Sequence, residues 1–176
     1  YQEVTGVQTC ALPIYINNFF IVDIGSGDGR IAYCGKVLGL NVYGIEIDDM
    51  LVDLQNNISK KITINFNSIC SDAVKFDYNS LGLTQPAFFI GGLPQMGGDV
   101  LASEIISNLD NNLKEKSCMV LTGSYSEKYS FSDTRDGGWK KLIDESGLKI
   151  IKSNSLPTAW SFNQTTETPY IFTKFS

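Results

Sequence analysis

Three glycines and two acids carry the chemistry open to this sequence. Gly25, Gly27 and Gly29 alternate in Asp23-Ile24-Gly25-Ser26-Gly27-Asp28-Gly29-Arg30, and Glu46 stands 21 positions after Gly25. Glycine admits positive φ and lets backbone come close to a ligand. Asp23 closes the apolar run Phe19-Phe20-Ile21-Val22, and Glu46 closes Asn41-Val42-Tyr43-Gly44-Ile45. Each run reads as a buried strand. A strand, a glycine turn and a helix opening at Arg30-Ile31-Ala32 are the usual means of holding a nucleotide-like ligand at the edge of a parallel sheet. A carboxylate at Asp23 would repel a pyrophosphate but suit a ligand carrying an ammonium and a sulfonium. A carboxylate at Glu46 can accept both hydroxyls of a ribose. The glycine spacing, G-x-G-x-G, also departs from the dinucleotide pattern G-x-G-x-x-G. Both features speak against a nicotinamide dehydrogenase.

Asp23, Gly25, Gly27 and Gly29 together resemble motif I, D-x-G-x-G-x-G, of the class I S-adenosylmethionine (SAM) dependent methyltransferases, and Gly44-Ile45-Glu46 resembles their motif II. The resemblance covers most of residues 19–175 and is specific at motif I. It implies an α/β, Rossmann-like fold. The expected sheet is mostly parallel and seven-stranded, with helices on both faces and a C-terminal antiparallel hairpin. It also implies SAM as cofactor, held by Asp23, Gly25, Ser26, Gly27 and Gly29, with Glu46 on the ribose and Ile47 against the adenine. The family's acid-containing loop at the adenine amino group falls on Ser71-Asp72-Ala73, making Asp72 and Ala73 cofactor candidates. Asp72 reads almost equally well as an Asx turn or a helix cap.

In this fold the end of the fourth strand faces the transferring methyl group. Here it is Gly91-Gly92-Leu93-Pro94-Gln95. Base-methylating relatives carry an Asn-Leu-Pro-Tyr type of sequence at this place. Leu93-Pro94 is kept, but Gly92 replaces the Asn and Gln95 the Tyr, which argues against base methylation. The candidates at the methyl end are therefore the backbone carbonyls of Gly91 and Gly92, together with Asp99. If a general base is needed, Asp99, Glu104, Tyr125 and Tyr129 are available, although each reads more readily as solvent-facing or structural. The motif I sequence followed by Gly44-Ile45-Glu46 is similar to small archaeal and bacterial protein-lysine methyltransferases. The expected acceptor is accordingly a lysine amine of a basic protein. The alternatives are a small-molecule or nucleic-acid methyltransferase of the same fold, and a protein that binds SAM without turnover.

Composition narrows the field. The 176 residues carry a net charge of −5 and lack histidine, which removes Ser/His and Cys/His catalysis and most zinc sites; no metal is expected. A pI of about 4.7 without basic stripes is a poor footprint for nucleic acid. An acidic surface would instead attract a basic protein. No apolar run approaches a membrane span. Cys34, Cys70 and Cys118 lie apart in or beside apolar segments and read as buried thiols of a reducing, cytoplasmic compartment. Val4–Ile14 looks like an in-frame translation of a sequencing adapter, the mark of an assembled environmental, metagenomic read. Residues 1–14 are set aside as an artefact of that origin. Residues 15–176 are expected to form one SAM-binding domain, truncated at its N-terminus and lacking a helix that would cover the cofactor.

The remaining elements alternate strand and helix, as a parallel sheet requires. Ile31 to Leu38 reads as a helix stopped by Gly39. Asp48 or Asp49 can cap the next helix, with Met50, Leu51, Leu54 and Ile58 as its core stripe. Ile62–Phe66 alternates as a third strand, and Pro86–Ile90 is apolar enough for the sheet centre. Leu101, Ile105, Ile106, Leu109 and Leu113 mark one long amphipathic helix. Ser117–Ser124 reads as the fifth strand, Tyr125–Asp136 as a loop, and Gly137–Ile151 as a helix, a glycine stop and the sixth strand. A polar loop, Thr158–Thr168, containing Trp160, then leads to the final strand, Pro169–Phe175.

Overall fold

The structure is a computed structural model and describes residues 19–92, 94–123, 138–157 and 167–176. Residues 1–14, Tyr125, Tyr129 and Trp160 lie outside the described residues. Seven strands form one sheet in the order β3-β2-β1-β4-β5-β7-β6. They are β1 (Phe19–Ile24), β2 (Asn41–Glu46), β3 (Asn67–Cys70), β4 (Gln85–Ile90), β5 (Cys118–Thr122), β6 (Leu148–Pro157) and β7 (Glu167–Phe175). The first five run parallel, while β7 is antiparallel to both β5 and β6. This is the class I methyltransferase fold, with its reversed C-terminal pair.

The helices are α1 (Arg30–Val37), α2 (Asp49–Ile62), α3 (Gly98–Asn108), α4 (Asn111–Lys116) and α5 (Lys140–Glu145). Asp48 caps α2, its carboxylate accepting from the Met50 and Leu51 amides. Among the described residues, two apolar clusters hold the layers together. The larger joins Val22, Ile24, Phe88, Ile90, Met119 and Leu121 of the sheet to Ile105, Leu113, Trp139 and Leu142. The smaller is Ala32, Val42 and Phe66, under α1.

Five expectations need correcting. The third strand does not begin at Ile62, because α2 runs through Ile62 and ends on Thr63 in the left-handed region, φ 56°. The alternation at Ile64 and Phe66 is nonetheless physical. Phe66 is buried in the smaller cluster on an extended approach that pairs with a neighbouring strand only from Asn67. The core stripe of α2 is not Met50 and Leu54, which are 74% and 44% exposed; the buried positions are Val52, Gln55 and Ser59. The long helix after β4 is broken. Leu109 adopts an extended backbone, and Asp110 starts α4 by accepting from the Leu113 amide. Cys34 and Cys70 are exposed rather than buried, and Cys118 is intermediate. The final strand also begins two residues early enough to include a buried Thr168.

Candidate functional site

Register brings the site together. Asp23 lies abreast of Gly44, and Gly44 abreast of Ser68. Neighbours in a parallel sheet point to the same face. The middle position has no side chain, which leaves room for the loop. A Cβ on Gly44 would come within 2.8 Å of the Ser26 Oγ and 3.4 Å of the Gln55 Oε1.

The loop after β1 takes the conformation its glycines allow, with φ of 66° at Gly25, 55° at Gly27 and 78° at Gly29. It is tied across to β2, where the Ile45 carbonyl accepts from the amides of Gly25 (2.9 Å) and Ser26 (3.1 Å). Glu46 completes the tie. Its Oε2 accepts from the Gly27 amide at 2.8 Å, and its Oε1 accepts from the Ile47 and Asp48 amides at 2.9 and 3.1 Å. A carboxylate has about four acceptor positions. With three in use, Glu46 can bind a pair of ribose hydroxyls only if it exchanges at least one backbone N–H for a hydroxyl.

Asp23 is 3% exposed, and its Oδ2 has no hydrogen-bond partner. Burial, then the charges of Glu46 and Asp28, push its carboxyl up to about 7. The acid at the end of β1 is therefore a buried, electrostatically frustrated group rather than an open cradle wall. A cation nearby would relieve it.

Ile47 is 71% exposed beside Glu46, an apolar side chain that a flat ring could cover. Asp72 forms an Asx turn, accepting from the Val74 amide at 3.0 Å, and pairs with Lys75 at 2.9 Å, which holds its carboxyl below the usual range. The loop bearing Asp72 follows β3, and the Ser71 amide donates to the Glu46 carbonyl at 2.8 Å, so this loop adjoins the end of β2. The Ala73 carbonyl is taken by the Tyr78 hydroxyl at 2.6 Å.

At the end of β4, Gly91 and Gly92 are exposed. The Asp99 carboxylate accepts from the Val100 amide in the first turn of α3, and Glu104 is exposed on the same helix. The structure thus gathers Asp23, Gly25, Ser26, Gly27, Gly29, Glu46 and Ile47 at one sheet edge. Asp72 and Ala73 lie in the adjoining loop, while Asp99 sits apart on α3 with its carboxylate bonded within that helix. Gly44, Gln55 and Ser68 escaped the sequence reading. A glycine in mid-strand signals close approach of other backbone or side chains, and that signal was present at Gly44.

No family model matches the chain, and a search of curated protein sequences finds no match. Solved structures share its fold. A magnesium protoporphyrin IX methyltransferase from Synechocystis PCC 6803 with bound SAM is 14% identical, with a TM-score of 0.64, covering 97% of this chain and 76% of that one. A SAM-dependent methyltransferase from Methanosarcina mazei is 12% identical, with a TM-score of 0.67, covering 94% of this chain and 96% of that one. The cyclase SpnF is 10% identical, with a TM-score of 0.62, covering 92% of this chain and 76% of that one.

Proposed function

We propose that this chain is a SAM-dependent methyltransferase and that its acceptor is a lysine amine of a basic protein. The observation that carries the cofactor reading is the loop from Gly25 to Gly29, with positive φ at its three glycines and tied to Glu46, with the buried, unpartnered Oδ2 of Asp23 at its root and an exposed Ile47 alongside. These residues fit a cationic nucleoside. Asp23 favours its charge, Glu46 offers acceptors for a ribose, and Ile47 offers an apolar surface to a purine. When bound, SAM would supply a methyl group on a sulfonium, open to in-line displacement by an amine lone pair.

The chain's own part in such a reaction is mainly positioning and exclusion of water. An ammonium acceptor must first lose a proton. Asp99 is occupied at its helix terminus and Glu104 faces solvent, so neither is assigned that role. The exposed backbone of Gly91 and Gly92 is the candidate surface for the acceptor amine. The net charge of −5 favours encounter with a basic protein.

The fold alone does not select the reaction, since a cyclase shares it. Titration calorimetry with SAM, followed by transfer of labelled methyl to fractionated lysate, separates the readings. Binding with label on protein lysines supports the proposal. Label on small molecules or nucleic acid moves the acceptor. Binding without transfer leaves a SAM-binding protein, and no binding removes the cofactor reading.

A further inference from the structure

Gln55 is a fully buried polar side chain on α2, 0% exposed, and is not itself part of the cofactor pattern. Its amide is engaged at both ends. Nε2 donates to the Gly27 carbonyl at 2.7 Å and to the Ser26 Oγ at 3.0 Å, and Oε1 accepts from the Ser68 Oγ at 2.7 Å. Gly27 is thereby gripped on both of its peptide groups, its N–H by Glu46 and its carbonyl by Gln55. Two glycines make room for this arrangement. A Cβ on Gly29 would meet the Gln55 Cγ at 2.9 Å, and one on Gly44 would meet the Ser26 side chain.

We propose that Gln55, braced by Ser68, is a positioning residue that sets the peptide orientation at Gly27, so that the glycine loop is already shaped for its ligand before binding. The inference that this shape serves SAM rests on the function proposed above. The inference that Gln55 holds the loop does not.

A glycine loop has many accessible conformations, and confining it in advance removes that entropy from the binding step. Glu46 alone leaves the Gly27 carbonyl free to rotate. A single side-chain amide with both donors and its acceptor satisfied fixes one orientation.

The test measures two readouts on the full chain. In Gln55→Met, which keeps length and burial, amide hydrogen exchange at Gly27 in the ligand-free protein should quicken by about tenfold or more relative to amides of β4, the loss of a buried hydrogen bond. SAM affinity by calorimetry should fall by a similar factor, about tenfold, at a temperature where the variant is fully folded. In Gln55→Glu the carboxylate would face the Gly27 carbonyl with no donor, and protonation restores one. Its affinity deficit relative to wild type should therefore narrow as pH falls. Ser68→Ala, a milder change that keeps Gln55, should weaken binding about two- to fivefold. A lowered melting temperature with unchanged Gly27 exchange and unchanged affinity would make Gln55 merely structural and overturn the proposal. Quickened exchange at Gly27 in a protein that binds no SAM even as wild type would uphold the positioning role and remove only the cofactor reading.

Discussion

Asp23 and Glu46 bear the same formal charge at the ends of neighbouring strands, yet the chain treats them oppositely. Glu46 is satisfied by three backbone N–H groups, whereas Asp23 keeps a buried oxygen without a partner. A carboxyl raised from 3.8 to about 7 binds its proton more tightly in the folded chain than in the unfolded one. Between those two values stability must fall as pH rises, by up to about 4 kcal/mol in total. Asp23→Asn should abolish that fall. Urea midpoints taken from pH 4 to pH 8 should show the variant gaining on wild type as pH increases, and parallel curves would show that Asp23 does not titrate in this window. The same frustration predicts that affinity for a cationic ligand rises from pH 6 to pH 8 in wild type, because binding draws the proton off Asp23. At Ile47 the expectation concerns area instead. If a purine covers it, Ile47→Ala should weaken SAM and its demethylated product alike by about 1–2 kcal/mol, while leaving the melting temperature of the free protein unchanged. Equal affinities for the two chains would place the ring elsewhere.

The start of α2 connects these residues to the sheet. Asp48 caps it, accepting from two first-turn amides, and the Asp48 amide itself donates to Glu46. Losing the cap should cost about 1 kcal/mol in Asp48→Ala, against a few tenths for Asp49→Ala, which caps nothing. Chemical denaturation of both variants decides which aspartate does the work. The sequence allowed either. The buried face of this helix was harder to read. Met50, Leu51, Leu54 and Ile58 have ideal apolar spacing, but the face turned inward is Val52, Gln55 and Ser59. Two of those three are polar, because they meet backbone carbonyls and a hydroxyl rather than an apolar surface: Gln55 the Gly27 carbonyl and Ser26 hydroxyl, Ser59 the Ile64 carbonyl just after the helix. Periodicity finds faces that meet oil and is blind to faces that meet backbone. The same limit moved the third strand. Ile64 and Phe66 bury as an alternating pair should, yet ladder pairing starts only at Asn67, and pairing has no signature in one strand's own sequence. By contrast β1, β2 and β4 were legible nearly to the residue. Each is a short apolar run with punctuation at its end, and the apolar character of β4 agrees with its place at the centre of the sheet. The glycine loop and Glu46 were legible for the same reason: strand ends are marked by residue type. Gln55 was not, since its role depends on a contact 28 residues away in sequence, with Gly27.

Across the whole molecule, the described residues divide their cohesion unequally. The larger apolar cluster binds β1, β2, β4 and β5 to α3, α4 and α5, with Trp139 fully buried and its Nε1 donating to the Thr122 carbonyl at 3.1 Å. The smaller cluster beneath α1 has three buried residues, and next to it α2 is held in part by the hydrogen bonds of Gln55 to the glycine loop and to Ser68. A side with little apolar burial opens at lower free energy than one with much. In the ligand-free chain, amides of α1 and α2 should therefore exchange through partial opening, at least about tenfold faster than those of β4, β5 and α3. A ligand seated on the glycine loop is released by the partial opening of α1 and α2 and by global unfolding alike, so its binding free energy is added to both. At 100 times its dissociation constant SAM contributes about 2.7 kcal/mol, enough to slow exchange in α1 and α2 by roughly a hundredfold. Amides on the α3 side should slow only as far as global unfolding is suppressed. Uniform protection of both sides before ligand is added would mean that polar contacts at the loop hold as firmly as the apolar cluster does, and that the site is rigid without help from what it binds.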